Sequence, residues 1–212
     1  HFLIYRAKQN DAVLEIGRID GHLFSTYRLY DLRLTSSQCG VNSEISIAEA
    51  EAFFKWKALL THYGKGVFHR LALNRLSAHI SFDASKQEVE RRRYPESWIF
   101  TPTHLDLENG YVNITLGDRF MELAGVEVSV DSTSPGEITL NRVTLGRKDG
   151  TSRTFADLKG VTALQGTRLL LADLQLGPTV TLRALTTDLA LLTLGRVKVG
   201  FDFAAFNGSI RG

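Results

Sequence analysis

A six-residue phrase, apolar-x-x-apolar-x-apolar, constrains the fold of this chain more than any other feature. It stands at Leu29-Tyr-Asp-Leu32-Arg-Leu34, Leu73-Asn-Arg-Leu76-Ser-Ala78 and Leu123-Ala-Gly-Val126-Glu-Val128. It returns at Leu140-Asn-Arg-Val143-Thr-Leu145, Leu158-Lys-Gly-Val161-Thr-Ala163 and Leu171-Ala-Asp-Leu174-Gln-Leu176. In a β-strand successive side chains point to opposite faces, so alternate apolar residues mark one face. The two-residue gap breaks that phase: each copy either flips its apolar side or carries a bulge that restores it. Strands of this kind, laid side by side, build one long curved sheet with a continuous apolar face. Apolar residues make up 43% of the chain, so the bare spacing arises by chance on the order of a dozen times. The phrase gains weight from its setting. The last four copies begin at residues 123, 140, 158 and 171, a near-regular step, and each is flanked by turn residues.

The rest of the chain reads as strand and turn. Val13–Ile19 alternates roughly and ends at the tight turn Asp20-Gly21. His22–Thr35 reads as a long strand, and Ser43–Trp56 as a strand with one bulge. A short helix is expected near residues 57–63, stopped by Gly64 and Gly66. Residues 86–96 (KQEVERRRYPE) are charged, aperiodic and carry Pro95, so they read as an exposed loop. Turn signals after Trp98 stand at Glu108-Asn-Gly110, Gly117-Asp118, Ser134-Pro-Gly136, Lys148-Asp-Gly150, Gly177-Pro178 and Asn207-Gly208. They lie about one strand apart, as in an antiparallel meander. The expected organisation is a β section with a short helix over residues 1–85, the charged loop over 86–96, and a meander over 97–212 that continues the same groove. The expected class is mainly β: an elongated, strongly twisted antiparallel sheet forming an open groove.

Few residues suggest chemistry. The net charge is +2, which provides no field for nucleic acid. Cys39 is the single cysteine, so no internal disulfide or cysteine-based zinc site can form. No apolar run is long enough to span a membrane. The chain begins at His1 rather than methionine and is read as a fragment, which either a membrane anchor or an export signal could precede. No HExxH, GxSxG or phosphate-loop motif is present. His104 and Asp106 share one face of a strand and could reach a metal, but two polar residues on a solvent face is the stronger reading. Arg91-Arg-Arg93 is offset by Glu88, Glu90 and Glu96. No catalytic, cofactor or metal residues are therefore assigned.

The apolar phrase supplies the candidate site instead. Its lining is expected from Leu29, Leu32, Leu34, Leu73, Leu76, Leu123, Val126, Val128, Leu140, Val143, Leu145, Leu171, Leu174 and Leu176. Phe54, Trp56 and Trp98 are candidates for the groove's lip.

Three stretches resemble the AsmA-like superfamily, and within it TamB-type proteins. Ile16-Gly-Arg-Ile-Asp-Gly-His-Leu-Phe24 with Tyr27–Leu34 is similar to the turn and strand that follow the membrane anchor in those chains. Phe54–Leu60 through Val67–Leu76 resembles their tryptophan strand, short helical turn and next strand, and Phe201–Gly208 resembles their repeated strands. The resemblance implies a β-groove, or β-taco, anchored in the inner membrane of diderm bacteria and projecting into the periplasm. It implies a non-enzymatic role: shielding phospholipid acyl chains in transit between the two membranes, or supporting outer-membrane assembly with an outer-membrane barrel protein as partner. A carbohydrate-active enzyme on a parallel β-helix and a closed β-sandwich interaction or adhesion module are the alternatives.

Overall fold

The computed structural model describes residues 12–21, 26–38, 40–54, 68–82, 102–165, 168–175, 180–188, 199–205 and 208–211. Among these residues 91% are strand and none is helical. The strands are β1 (Ala12–Asp20), β2 (Thr26–Gln38), β3 (Val41–Phe54), β4 (Phe68–Phe82), β5 (His104–Leu116) and β6 (Arg119–Asp131). They continue as β7 (Ser134–Arg147), β8 (Ser152–Gln165), β9 (Arg168–Gln175), β10 (Val180–Asp188), β11 (Val199–Ala205) and β12 (Gly208–Arg211). All twelve form one sheet in chain order, with β1 and β12 at its two edges. The sheet is open and mixed rather than closed into a barrel. One sheet of sequential neighbours is neither a parallel β-helix nor a two-sheet sandwich.

The expectation of a wholly antiparallel sheet fails at one junction. β4 and β5 pair in parallel, with Arg70 beside His104 and Phe82 beside Leu116. A parallel pair cannot be closed by a hairpin. From Phe82 the chain has to come back along the strand by about 40 Å before β5 starts. The charged stretch 86–96 falls within that connection and lies outside the described residues, as does the expected helix near 57–63. Through the β4–β5 pair the sheet itself runs on without a break.

The two-residue gap in the phrase is a physical seam. Apolar residues three apart share one side of every strand from β1 to β10, and all but the edge residue Ile19, 54% exposed, are buried or half-buried. The pairs are Ile16/Ile19, Leu29/Leu32, Ile47/Ala50, Leu73/Leu76, Leu107/Gly110, Leu123/Val126, Leu140/Val143, Phe155/Leu158, Leu171/Leu174 and Leu182/Leu185. They lie opposite one another in neighbouring strands: Leu29 faces Ala50 while Leu32 faces Ile47. Likewise Val126 faces Leu140 while Leu123 faces Val143, and Leu174 faces Leu182 while Leu171 faces Leu185. The seam steps along the strands twice. It does so at β5/β6, where the register itself shifts, and at β8/β9, where Thr162 rather than Leu158 stands against Leu171.

A regular strand would put residues three apart on opposite faces. In six strands the phase is reset by one left-handed residue at the second spacer: Asp31 (φ 54°), Arg75 (54°), Asn109 (55°), Gly125 (63°), Asp157 (54°) and Asp173 (56°). Gly, Asn and Asp are the residues that tolerate this conformation, so five of the six fit it chemically. β-Carbon space matters as well at Gly125, where a methyl group would run into the Asn141 side chain on β7.

The fifth copy of the phrase is displaced. The reset in β8 lies at Asp157, so Phe155 and Leu158 share the buried side while Val161 is turned outward and is 43% exposed. The spacing Leu158/Val161/Ala163 is a coincidence of composition.

Arg75 is the one long cationic side chain forced into the left-handed region. Arg75→Gly is expected to raise stability by about 1 kcal/mol. Asp157→Val, which places a β-branched residue there, is expected to lower it by about 1–2 kcal/mol. Urea unfolding of the two variants beside the parent chain checks both signs.

Candidate functional site

The seam gives one face of the sheet nearly all the large aliphatic side chains, but the two halves of that face differ. Over β5–β10 it is filled. Leu105, Val126, Val128, Val130, Ile138, Leu140, Val143, Leu158, Leu164, Leu174 and Leu182 form one buried cluster. Leu73, Leu107, Leu123, Leu145, Phe155 and Leu171 pack against it. The sheet curls sharply here: Cα atoms of β6 and β8 come within 8 Å across β7, whereas strands two apart in a flat sheet stand about 9.5 Å apart. Ile138, Leu140 and Val143 on β7 are correspondingly each 2% exposed.

Over β1–β4 the same face is open. Leu14, Ile16, Leu29, Leu32, Leu34, Ile45, Ile47 and Leu76 are only half-buried. The residues buried there are mostly small, with Ala50, Ala52 and Ala78 forming a floor between the larger side chains.

Of the expected lining residues, Leu29, Leu32, Leu34 and Leu76 lie on the open part. Val126, Val128, Leu140, Val143 and Leu174 are committed to the sheet's own core, with Leu73, Leu123, Leu145 and Leu171 packed against it. Leu176, Trp56 and Trp98 lie outside the described residues, and of Phe54 only the backbone position at the end of β3 is described. Ile16, Ile45, Ile47, Ala50 and Ala52 complete the face and are not part of the phrase's six copies, whereas Ala78 ends the second copy. β1 and β3 carry no left-handed residue, and it is their pairing with β2 that places these residues on the face.

The opposite face is polar. A shallow depression of about 600 Å³ lies against β1–β5, bordered by Thr35, Ser37, Asn42, Glu44, His79 and Asn113. Its side chains serve each other: Arg33 donates to Glu44 at 2.6 Å and Ser37 to Asn42 at 2.5 Å. Thr115 donates to Asn113 at 3.2 Å. No group of three or more metal-ligating side chains occurs among the described residues.

His104 and Asp106 do meet, with Nε2 3.0 Å from Oδ2. Both carboxylate oxygens are already engaged. Ser129 donates to Oδ1 at 2.8 Å, and Arg70 donates to Oδ2 through Nε at 3.1 Å and Nη2 at 2.8 Å. Burial pushes the Asp106 pKa upward, but the hydrogen bonds from Ser129 and Arg70 and the charges of His104 and Arg70 outweigh it, holding the carboxyl below its ordinary value. This cluster ties β4, β5 and β6 together and leaves no vacant ligand position on Asp106.

What the fold and site define is an open single-layer β-sheet with one apolar face, filled at one end and uncovered at the other. No protein-family model matches the chain, and no curated protein matches it.

The Asp106 pKa is lowered on folding, so its contribution to stability is present above the unfolded value of about 3.9 and is lost as pH falls through the folded value. Asp106→Asn is expected to cost about 1–3 kcal/mol at pH 7. Urea titrations between pH 5 and pH 2 should show that difference narrowing as the parent carboxylate is protonated.

Proposed function

We propose that this chain is a non-enzymatic β-groove segment of an AsmA/TamB-like protein. It shields phospholipid acyl chains in the periplasm, in transit between inner and outer membrane or in support of outer-membrane assembly. In the full-length protein it is anchored to the inner membrane by a segment upstream. One observation carries the reading: over β1–β4 the apolar face holds half-exposed leucines and isoleucines above an alanine floor.

The physics of the cargo supports it. An acyl chain needs a long apolar surface free of unpaired backbone groups. A continuous sheet offers that, because its N–H and C=O groups are spent on the ladder while every second side chain faces the cargo. Each methylene taken out of water contributes about 0.8 kcal/mol, so contact along a chain retains a lipid without a specific pocket. The filled section over β5–β10 acts as the rigid wall that holds the open section in shape. The seam keeps the apolar side continuous across the bend of each strand.

The chain, expressed in the periplasm of a diderm bacterium and purified without detergent, is expected to carry phospholipid that mass spectrometry of an organic extract detects. Leu32→Glu and Leu76→Glu place a charge on the open face and should each lower the retained lipid at least tenfold. Val161→Glu, on the opposite face, should leave it unchanged. An extract without lipid, or equal loss in all three variants, overturns the reading.

A further inference from the structure

The apolar face ends, on one rim, in three arginines. We propose that Arg119, Arg147 and Arg153 bind the phosphate of an amphiphile whose hydrocarbon chain runs past Leu116 onto the open part of that face over β1–β4. The proposal rests on the lipid-shielding reading and adds the head group to it.

Register places the three together. Arg119 at the start of β6 stands directly opposite Arg147 at the end of β7. Arg153 near the start of β8 stands opposite Leu145, two residues from Arg147. Alternation puts them on the apolar side, since Met121 and Leu123 continue from Arg119, Leu145 and Val143 from Arg147, and Phe155 from Arg153. The polar side is marked independently. Thr144 and Thr154 meet there at 3.3 Å, and a β-carbon on Gly146 would meet the Phe120 ring. On β5, Leu116 faces Arg119 and is 52% exposed, so uncovered aliphatic surface adjoins the guanidinium groups.

Like charges directly opposed across two strands destabilise a sheet. Among the described residues no other two like charges stand directly opposite each other, and Arg18, Arg28, Arg33, Arg70 and Arg142 each sit within ion-pair distance of a carboxylate. Among the described residues no carboxylate pairs with Arg119, Arg147 or Arg153, although Asp118 and Asp149 lie in the adjoining turns. Asp149 accepts the Thr151 N–H at 2.9 Å instead. Three unneutralised guanidinium forks at the edge of an apolar surface match a phosphate group attached to a hydrocarbon chain. Each fork can donate two parallel hydrogen bonds to phosphate oxygens, and the phosphate removes the repulsion between the arginines.

The test uses the full chain and three probes below their micellar concentrations: 1-acyl-glycerol 3-phosphate, the monoacylglycerol of the same chain length, and glycerol 3-phosphate. The phosphate-bearing amphiphile should bind at least about tenfold more tightly than the monoacylglycerol, with a margin that shrinks as salt is added. Glycerol 3-phosphate alone should bind at least a hundredfold more weakly. R119Q/R147Q/R153Q should abolish the preference and leave monoacylglycerol binding unchanged. Because the substitutions relieve repulsion, its thermal midpoint should not fall, and R147Q alone should lose part of the preference. Equal binding of the two amphiphiles by the parent chain, or a preference that survives the triple substitution, overturns the phosphate site and spares the lipid reading. Glycerol 3-phosphate binding as tightly as the amphiphile reduces the site to one for free phosphate and overturns the proposal. Failure of both amphiphiles to bind overturns the lipid reading and the site together.

Discussion

The left-handed residue at the second spacer of the apolar phrase is the constraint on which this sheet depends. A strand alternates strictly, so an apolar face interrupted by a two-residue gap would be split between the two sides of the sheet. One residue with φ near 55–60° reverses the phase, as at Asp31, Arg75, Asn109, Gly125, Asp157 and Asp173. At Asp31, Arg75, Asp157 and Asp173 it does so without adding a residue to the ladder, while Asn109 and Gly125 sit where the β5/β6 register shifts. In a non-glycine residue that conformation costs on the order of 1 kcal/mol. The cost is outweighed by the aliphatic area that then gathers on one side.

Strands without a left-handed residue keep the seam by pairing with strands that carry one: Ile16 faces Leu32, Ala50 faces Leu29 and Leu140 faces Val126. Where β4 and β5 both carry one, Arg75 and Asn109 stand at matching register positions. Curling brings β6 towards β8 and buries Ile138, Leu140 and Val143. Over β1–β4 the same device carries smaller residues, Ala50, Ala52 and Ala78, which cannot fill the space the curl encloses. Local curl and the small floor residues together separate a packed core from an uncovered trough within one continuous sheet.

Electrostatics follows the same division into faces and rims. On the polar face charges are placed in cross-strand pairs, such as Arg33 with Glu44 and Arg142 with Glu122. Most are exposed, so each adds little to stability, and their effect is on register. Asp106 differs because Arg70, His104 and Ser129 all reach it, linking the parallel β4–β5 junction to β6. The arginines at the start of β6 and the end of β7 break the pairing rule, and they do so where the apolar face meets solvent.

Sequence alone determined the strand content, the turns at Gly117-Asp118 and Lys148-Asp-Gly150 and the existence of one apolar face. These follow from short-range alternation and from turn residues whose conformations are set locally. Glu108-Asn-Gly110, which reads as a turn, lies inside β5, and Ser134-Pro-Gly136 opens β7. Even the seam was legible in part, since Asp, Asn or Gly stands at the second spacer of most true copies; Arg75 hides the rule and Leu158–Ala163 imitates it. The tertiary structure alone decided three things. It paired β4 with β5 in parallel, a choice between distant strands that alternation does not encode. It assigned Leu29, Leu32, Leu34 and Leu76 to an open surface and Val126, Leu140 and Val143 to a core, although all seven carry the same pattern. It brought Arg119, Arg147 and Arg153 to one rim. Each depends on which strands become neighbours and how sharply the sheet curls between them, and those are properties of the assembled ladder rather than of any segment within it.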